Sequence, residues 1–147
     1  MGETSRTESV LVLVVEDDAI CQLVARHILE RAGCAVEVAG NGLEAVELSR
    51  AKDFHVIFMD CQMPDMDGYE ATRAIRLQEG NARHTPIVAT TAHAMQGDRE
   101  RCLGHGMDDY LTKPLRADDL VGALRHWAPS TQRSEPEAQT ATSSGSP

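Results

Sequence analysis

The strongest constraint on the fold is a run of four apolar residues, Val56-Ile57-Phe58-Met59, that ends in a carboxylate, Asp60, and a loop rich in Pro, Gly and acid. A continuous apolar run of strand length, with β-branched and aromatic residues, implies burial on both faces, as in a parallel sheet. A carboxylate directly after it stands at the strand's carboxyl end, the edge where open α/β sheets bind ligands. A second run, Val10 to Val15, also ends in acid, Glu16-Asp17-Asp18. If the two strands are neighbours, Glu16, Asp17 and Asp60 converge, and carboxylates that close repel unless a cation or a proton intervenes. A few oxygen ligands with room for water and a phosphate suit Mg²⁺ better than Zn²⁺ or a closed Ca²⁺ cage.

Elsewhere the chain alternates between strand and helix signals. Ile20, Leu23, Val24, His27, Ile28 and Ala32 recur at helical spacing before a stop at Gly33, which predicts a first helix with His27 on its inner side as a packed ring. Ala35–Ala39 alternates as a more exposed strand, and Gly40-Asn41-Gly42 turns the chain into a helix over Leu43–Ala51. Asp60 ends the third strand, and a helix through Tyr69 and Arg76 stops near Gly80-Asn81. A fourth strand, Ile87–Thr90, a helix over Gln96–Leu103, a short strand over Asp109–Thr112 and a last helix over Arg116–Trp127 complete the pattern. Five strands alternating with five helices call for right-handed crossovers and a parallel sheet covered on both faces. The expected domain spans 10–128, between a polar lead over 1–9 and a linker-like tail over 129–147 rich in Ser, Thr, Pro, Gln and Glu.

Composition narrows the function. A formal net charge of −9 with no basic run argues against nucleic-acid binding. No apolar stretch reaches membrane-spanning length and no secretory leader is visible, so a cytosolic, monomeric domain without membrane contact is expected. Met1-Gly2 does not extend into a myristoylation signal, because Arg6 stands where Ser or Thr is needed. Cys21, Cys34, Cys61 and Cys102 are too dispersed for a zinc site and read as free thiols, Cys61 as a small loop residue without a redox role.

Four motifs in order, LVVEDD, VIFMDCQMPDMDG, IVATTAHAM and DDYLTKPL, resemble the receiver domain of two-component response regulators over about Val10 to Ala128, closest in style to receivers of hybrid sensor histidine kinases. The resemblance implies a flavodoxin-like (βα)5 three-layer sandwich of strand order 2-1-3-4-5. It implies that Asp60 accepts a phosphoryl group from a phosphohistidine of a sensor kinase or a histidine phosphotransfer domain. It further implies Mg²⁺ held by Asp17, Asp60, the Gln62 backbone carbonyl and, through water, Glu16. Thr91 and Lys113 would complete the site. Thr91 and Tyr110 would switch the face made by the fourth helix, fifth strand and last helix, with Gln62 and His93 tuning the lifetime of the aspartyl phosphate. Phosphoryl transfer gives the physical reason for this set: an in-line oxygen nucleophile, a metal on the phosphoryl oxygens, and a cation and hydroxyl donor where charge develops. Such a domain catalyses its own phosphorylation and dephosphorylation without turning over a separate substrate.

Three rival readings are weaker. A haloacid-dehalogenase-type phosphatase needs a second Asp where Gln62 stands, and a calcium loop starting at Asp60 would need Glu where Ala71 stands. A receiver-fold module acting by contact alone would be expected to lack the acids, Thr or Lys. Whether the chain is a piece of a hybrid kinase or a stand-alone regulator is open on these residues.

Overall fold

The computed structural model describes residues 10–128 apart from 64–65 and 93–96. Five strands, β1 (Leu11–Val15), β2 (Ala35–Ala39), β3 (Val56–Asp60), β4 (Ile87–Thr91) and β5 (Asp109–Thr112), form one parallel sheet in the order β2-β1-β3-β4-β5. The helices are α1 (Ala19–Arg31), α2 (Gly42–Ala51), α3 (Gly68–Glu79), α4 (Asp98–Gly104) and α5 (Ala117–Trp127). The flavodoxin-like expectation is met in topology and strand order. Every residue of β3 and β4 is buried, as the apolar runs Val56–Met59 and Ile87–Ala89 require, with Asp60, Thr90 and Thr91 buried as polar residues at the strand ends.

Alternation along the strands divides the core in two. Leu13, Ile57, Met59, Ile87 and Ala89 face one side with Ile75 and Ala71 of α3. Val12, Val14, Val56, Phe58 and Val88 face the other, with Leu29 of α1 and Leu120 and Leu124 of α5. Helix starts are specified locally. Asp18 caps α1 by accepting from the Cys21 amide at 2.9 Å, Asn41 caps α2 from the Glu44 amide at 2.8 Å, and Asp67 with Glu70 forms a capping box on α3.

The orientation of α1 corrects the sequence reading. Ile20, Leu23 and Val24 are 70%, 67% and 42% exposed and His27 is exposed, while Ala25 and Leu29 are buried. Two stripes at helical spacing run along this helix. The one through Cys21, Ala25, Ile28 and Leu29 faces the sheet, because the small Ala25 permits close approach and Leu29 then fills the core. His93, the start of the expected fourth helix at Gln96, and the lead and tail lie outside the described residues.

At the amino edge of the sheet, Arg76 of α3 gathers a buried polar network. Its guanidinium pairs with Glu79 at 2.8 Å and Asp108 at 2.8 Å, and donates to the carbonyls of Thr85 at 2.8 Å and Gly106 at 2.9 Å. Glu79, 7% exposed, also accepts from the Thr85 amide at 2.9 Å. Burial alone would push the Glu79 pKa up, but the Thr85 and Arg76 hydrogen bonds hold it below its ordinary value. Removing the cation would leave that buried carboxylate with only the Thr85 amide and the more distant Arg83, at 3.8 Å. Arg76→Met is therefore expected to destabilise the fold by about 3 to 5 kcal/mol in denaturant melts, whereas Arg26→Met, at the exposed Arg26–Glu30 pair, should cost under about 1 kcal/mol.

Candidate functional site

The carboxyl edge of the sheet gathers the acidic residues. Val15 and Met59 are register partners, so β1 and β3 end side by side and deliver Glu16, Asp17 and Asp60 together. One carboxylate oxygen from each lies within 4.8 Å of the others, with Glu16 3% and Asp60 2% exposed and Asp17 open to solvent. β5 leads into Lys113, whose ammonium lies 2.8 Å from Glu16 Oε1 and 3.2 Å from Asp60 Oδ2. The Lys113 amide donates to the Thr91 carbonyl at 2.7 Å, tying the end of β5 to the end of β4. Thr91 is 5% exposed and lies one residue beyond Thr90, the register partner of Asp60.

The two buried carboxylates, Glu16 and Asp60, are held by backbone as well. The Gln62 amide donates to Asp60 Oδ1 at 3.0 Å, and the Asp18 amide to Glu16 Oε2 at 3.2 Å. The Gln62 side chain is exposed, and Tyr110 is half-buried against the core beside α3 and α4. Thus Glu16, Asp17, Asp60, Gln62 and Lys113 are brought together, Thr91 stands at the adjoining strand end, and Tyr110 sits farther down β5.

Two contributors are not evident from sequence patterns. The side-chain amide of Gln22, one turn into α1, donates to the Glu16 carbonyl at 2.6 Å and so fixes the loop that presents the first two acids. Nothing in a lone Gln on a helix announces that contact. Gly68 is the other. A Cβ there would lie 2.3 Å from the Asp60 carbonyl and 2.9 Å from Cys61 Cα, so only glycine lets the loop close against the backbone of Asp60. Cys61 itself is buried, and a hydrogen bond to Cys102 together with burial pushes its thiol far up, which keeps it protonated and unreactive.

Electrostatically the cluster is under-neutralised, since three carboxylates share one ammonium. Burial and the Asp60 charge raise the Glu16 pKa above its ordinary 4.5, against the opposing hydrogen bond from Lys113. Burial would lower Lys113, but its bonds and charges with Glu16 and Asp60 raise its pKa instead. An oxygen-only donor set with one open, exposed carboxylate and a net negative charge fits a hard divalent cation that keeps some of its waters.

The sign of the Glu16 shift gives a pH test. A carboxyl whose folded pKa is raised stabilises the fold fully below its unfolded value and loses that contribution as pH rises through the folded one. In metal-free buffer, Glu16→Gln is expected to melt at a higher temperature than wild type at pH 7, with the gap closing as pH falls toward 4. Scanning calorimetry across that range checks it, and a gap that widens on acidification would contradict the direction.

The family described as response regulator receiver domain matches residues 12–125. Probable histidine kinase 2 from Oryza sativa subsp. japonica is 42% identical over 128 residues, covering 77% of this chain and 12% of that protein. The crystal structure of the receiver domain of sensor histidine kinase PA1611 from Pseudomonas aeruginosa, with a magnesium ion coordinated in its active site cleft, superposes with a TM-score of 0.74 at 43% identity, covering 81% of this chain and 97% of that one. The receiver domain of Saccharomyces cerevisiae Ssk1, co-crystallised with the histidine phosphotransfer protein Ypd1, gives a TM-score of 0.75 at 35% identity over 82% of this chain and 90% of that one. The chain thus spans about an eighth of the length of the rice relative it matches. With the strand order, the acidic edge and the extent of the match in agreement, the chain belongs to the response regulator receiver domain family.

Proposed function

We propose that this chain is a phosphorelay receiver that takes a phosphoryl group onto Asp60 in the presence of Mg²⁺. The observation that carries this reading is the buried Asp60 carboxylate at the end of β3, oriented by the Gln62 amide and Lys113 beside the acids of the β1 loop. Asp17, Asp60 and the Gln62 carbonyl would hold Mg²⁺, with Glu16 reached through water. When bound, the metal supplies neutralisation of charge on the phosphoryl oxygens.

The chain's own groups do the remainder. An Asp60 oxygen attacks phosphorus as the P–N bond of the donor phosphohistidine breaks; the electron pair leaves with the imidazole and a mixed anhydride forms on Asp60. Lys113 is held charged by Glu16 and Asp60, and can move its ammonium onto a phosphoryl oxygen as that charge arrives. Thr91 donates its hydroxyl to another of those oxygens. We assign the donor to a sensor kinase or a histidine phosphotransfer protein, in a cytoplasmic setting and within a hybrid kinase phosphorelay. The exposed Ile20, Leu23 and Val24 on the first turns of α1, next to the acidic loop, support docking of a protein donor there. Gln62 and His93 tune access of water to the anhydride in this reading.

Asp60→Asn is expected to remain folded and to take up no phosphate from acetyl phosphate with Mg²⁺, by intact mass. Phosphate on the Asn variant at wild-type stoichiometry would move the acceptor elsewhere. A hydrogen bond from Thr91 to a charged phosphoryl oxygen contributes about 1.5 to 3 kcal/mol toward the switched state and frees space for the Tyr110 ring to turn inward. Thr91→Ala should therefore accept phosphate while losing most of the Tyr110 ring shift that beryllofluoride induces in wild type, read by NMR. An equal shift in both proteins would uncouple Thr91 from that face.

A further inference from the structure

Asp17 is the least constrained member of the acidic cluster. Glu16 and Asp60 are buried, and each meets both a backbone amide and the Lys113 ammonium. Asp17 is exposed, and among the described residues no hydrogen bond or ion pair holds its carboxylate. Its aim is therefore set by the backbone that carries it.

The peptide unit between Glu16 and Asp17 is the part of that backbone that matters most. A peptide is planar, so rotating this unit changes ψ of Glu16 and φ of Asp17 together, and with them the direction of the Asp17 side chain. The chain is anchored on both sides of it. The Glu16 amide donates to the Ala39 carbonyl at 3.0 Å, and the Asp18 side chain caps α1 through the Cys21 amide at 2.9 Å. Between those anchors, the Gln22 side-chain amide grips the carbonyl of the unit itself at 2.6 Å, at the short end of the range for an N–H donor. Gln22 is half-buried, and its own backbone amide donates to the Asp18 carbonyl at 3.0 Å, so the donor reaches back from a turn of helix that is already fixed. Without that donor the Glu16 carbonyl can turn to water, and the arrangement ready for a cation is populated only in part. A ligand then binds more weakly by that fraction.

We propose that Gln22 is a positioning residue for the divalent cation: by holding the Glu16–Asp17 peptide it keeps Asp17 aimed where Glu16 and Asp60 converge, and so sets Mg²⁺ affinity without ligating the metal. The proposal rests on the Mg²⁺-dependent phosphoacceptor reading for the identity of the ion.

The test uses the full chain and Mg²⁺ itself. Gln22→Met keeps the length and bulk of the side chain and removes its donor. Gln22→Ala removes the donor with the best helix former and covers the case in which the Met side chain does not pack. Gln78→Met is the control, because Gln78 also donates from a helix to a carbonyl, that of Val46 at 3.4 Å, but near the C-terminal end of α3. The amide signals of Asp17 and Gln62 are followed by NMR as Mg²⁺ is added, and phosphorylation by acetyl phosphate is followed by intact mass over the same Mg²⁺ range. Both Gln22 variants should need about fivefold more Mg²⁺ for half-saturation in both readouts, on the scale of one neutral hydrogen bond. Their phosphorylation rate should return to the wild-type value once Mg²⁺ saturates, and Gln78→Met should titrate as wild type does. In metal-free buffer the Asp17 amide signal should already be displaced in the Gln22 variants, because the carbonyl of its peptide has lost a donor. An unchanged half-saturation, or an equal rise in Gln78→Met, would overturn the role given to Gln22. So would a rate that stays low at saturating Mg²⁺, which would make Gln22 a general support of the fold. Wild-type protein whose Asp17 and Gln62 signals ignore Mg²⁺ would instead count against the metal reading on which the proposal rests.

Discussion

The structure depends on one ammonium group placed between two buried carboxylates. Lys113 is the cation that meets both Glu16 and Asp60, and the three strands that end at or just before these residues must end close to one another for it to do so. A parallel sheet supplies that coincidence, because β1, β3 and β5 all point the same way and end at the same edge. The pairing is incomplete. With Asp17 in the same cluster, negative charge exceeds positive, and burial first, with the Asp60 charge after it, raises the pKa of Glu16. Backbone amides at Asp18 and Gln62, the Gln22 side chain and the absence of a Cβ at Gly68 hold the carboxylates where repulsion would separate them. Stability is given up locally for a site that attracts a cation and yields it little competition.

The two ends of the sheet handle charge in opposite ways. At the amino edge, Arg76 answers Glu79 and Asp108, two further donors meet the Thr85 and Gly106 carbonyls, and His84 adds a second contact to Asp108 at 2.7 Å. That network is satisfied group by group, which is what a buried polar cluster needs in order not to cost stability. The carboxyl edge is left with acceptors in excess. A rigid, closed end and an open, under-neutralised end on the same five strands allow chemistry at one without loosening the other. Trp127 extends the bracing, its indole donating to Asp109 at 3.1 Å and fastening the end of α5 to β5.

Legibility in the sequence followed the strength of the physical signal. The strands were readable because two-sided burial demands runs such as Val56–Met59, with almost no polar interruption. The convergence of Glu16, Asp17 and Asp60 followed from two such runs ending in acid. The orientation of α1 is not legible in the same way, because the helix carries two apolar stripes and periodicity alone does not say which one meets the sheet; the small Ala25 settles it by close approach. Gln22 carries no such signal, because its role is a contact to a carbonyl six residues back, which has no compositional signature. The tight approach behind Gly68 is likewise a matter of tertiary distance, although the residue itself stands out in the loop.

The exposed face of α1 suits the electrostatics of the site it adjoins, if a protein donor docks there as proposed. A phosphoryl donor is itself anionic, and it must approach an edge that already carries excess negative charge on a protein of net charge −9. Long-range attraction is therefore a poor device for recruiting it, since the field repels what the chemistry requires. Short-range contact does not suffer from that conflict. Apolar side chains at Ile20, Leu23 and Val24 favour association through water released on burial, at about 25 cal/mol per Å² and with little dependence on salt. Leaving them exposed forgoes burial on folding, and the chain can sustain that because Ala25 and Leu29 already attach α1 to the sheet. One helix thus carries two apolar faces, Ala25 and Leu29 turned to the sheet and Ile20, Leu23 and Val24 turned to solvent, which suits an acidic edge whose partner is another protein.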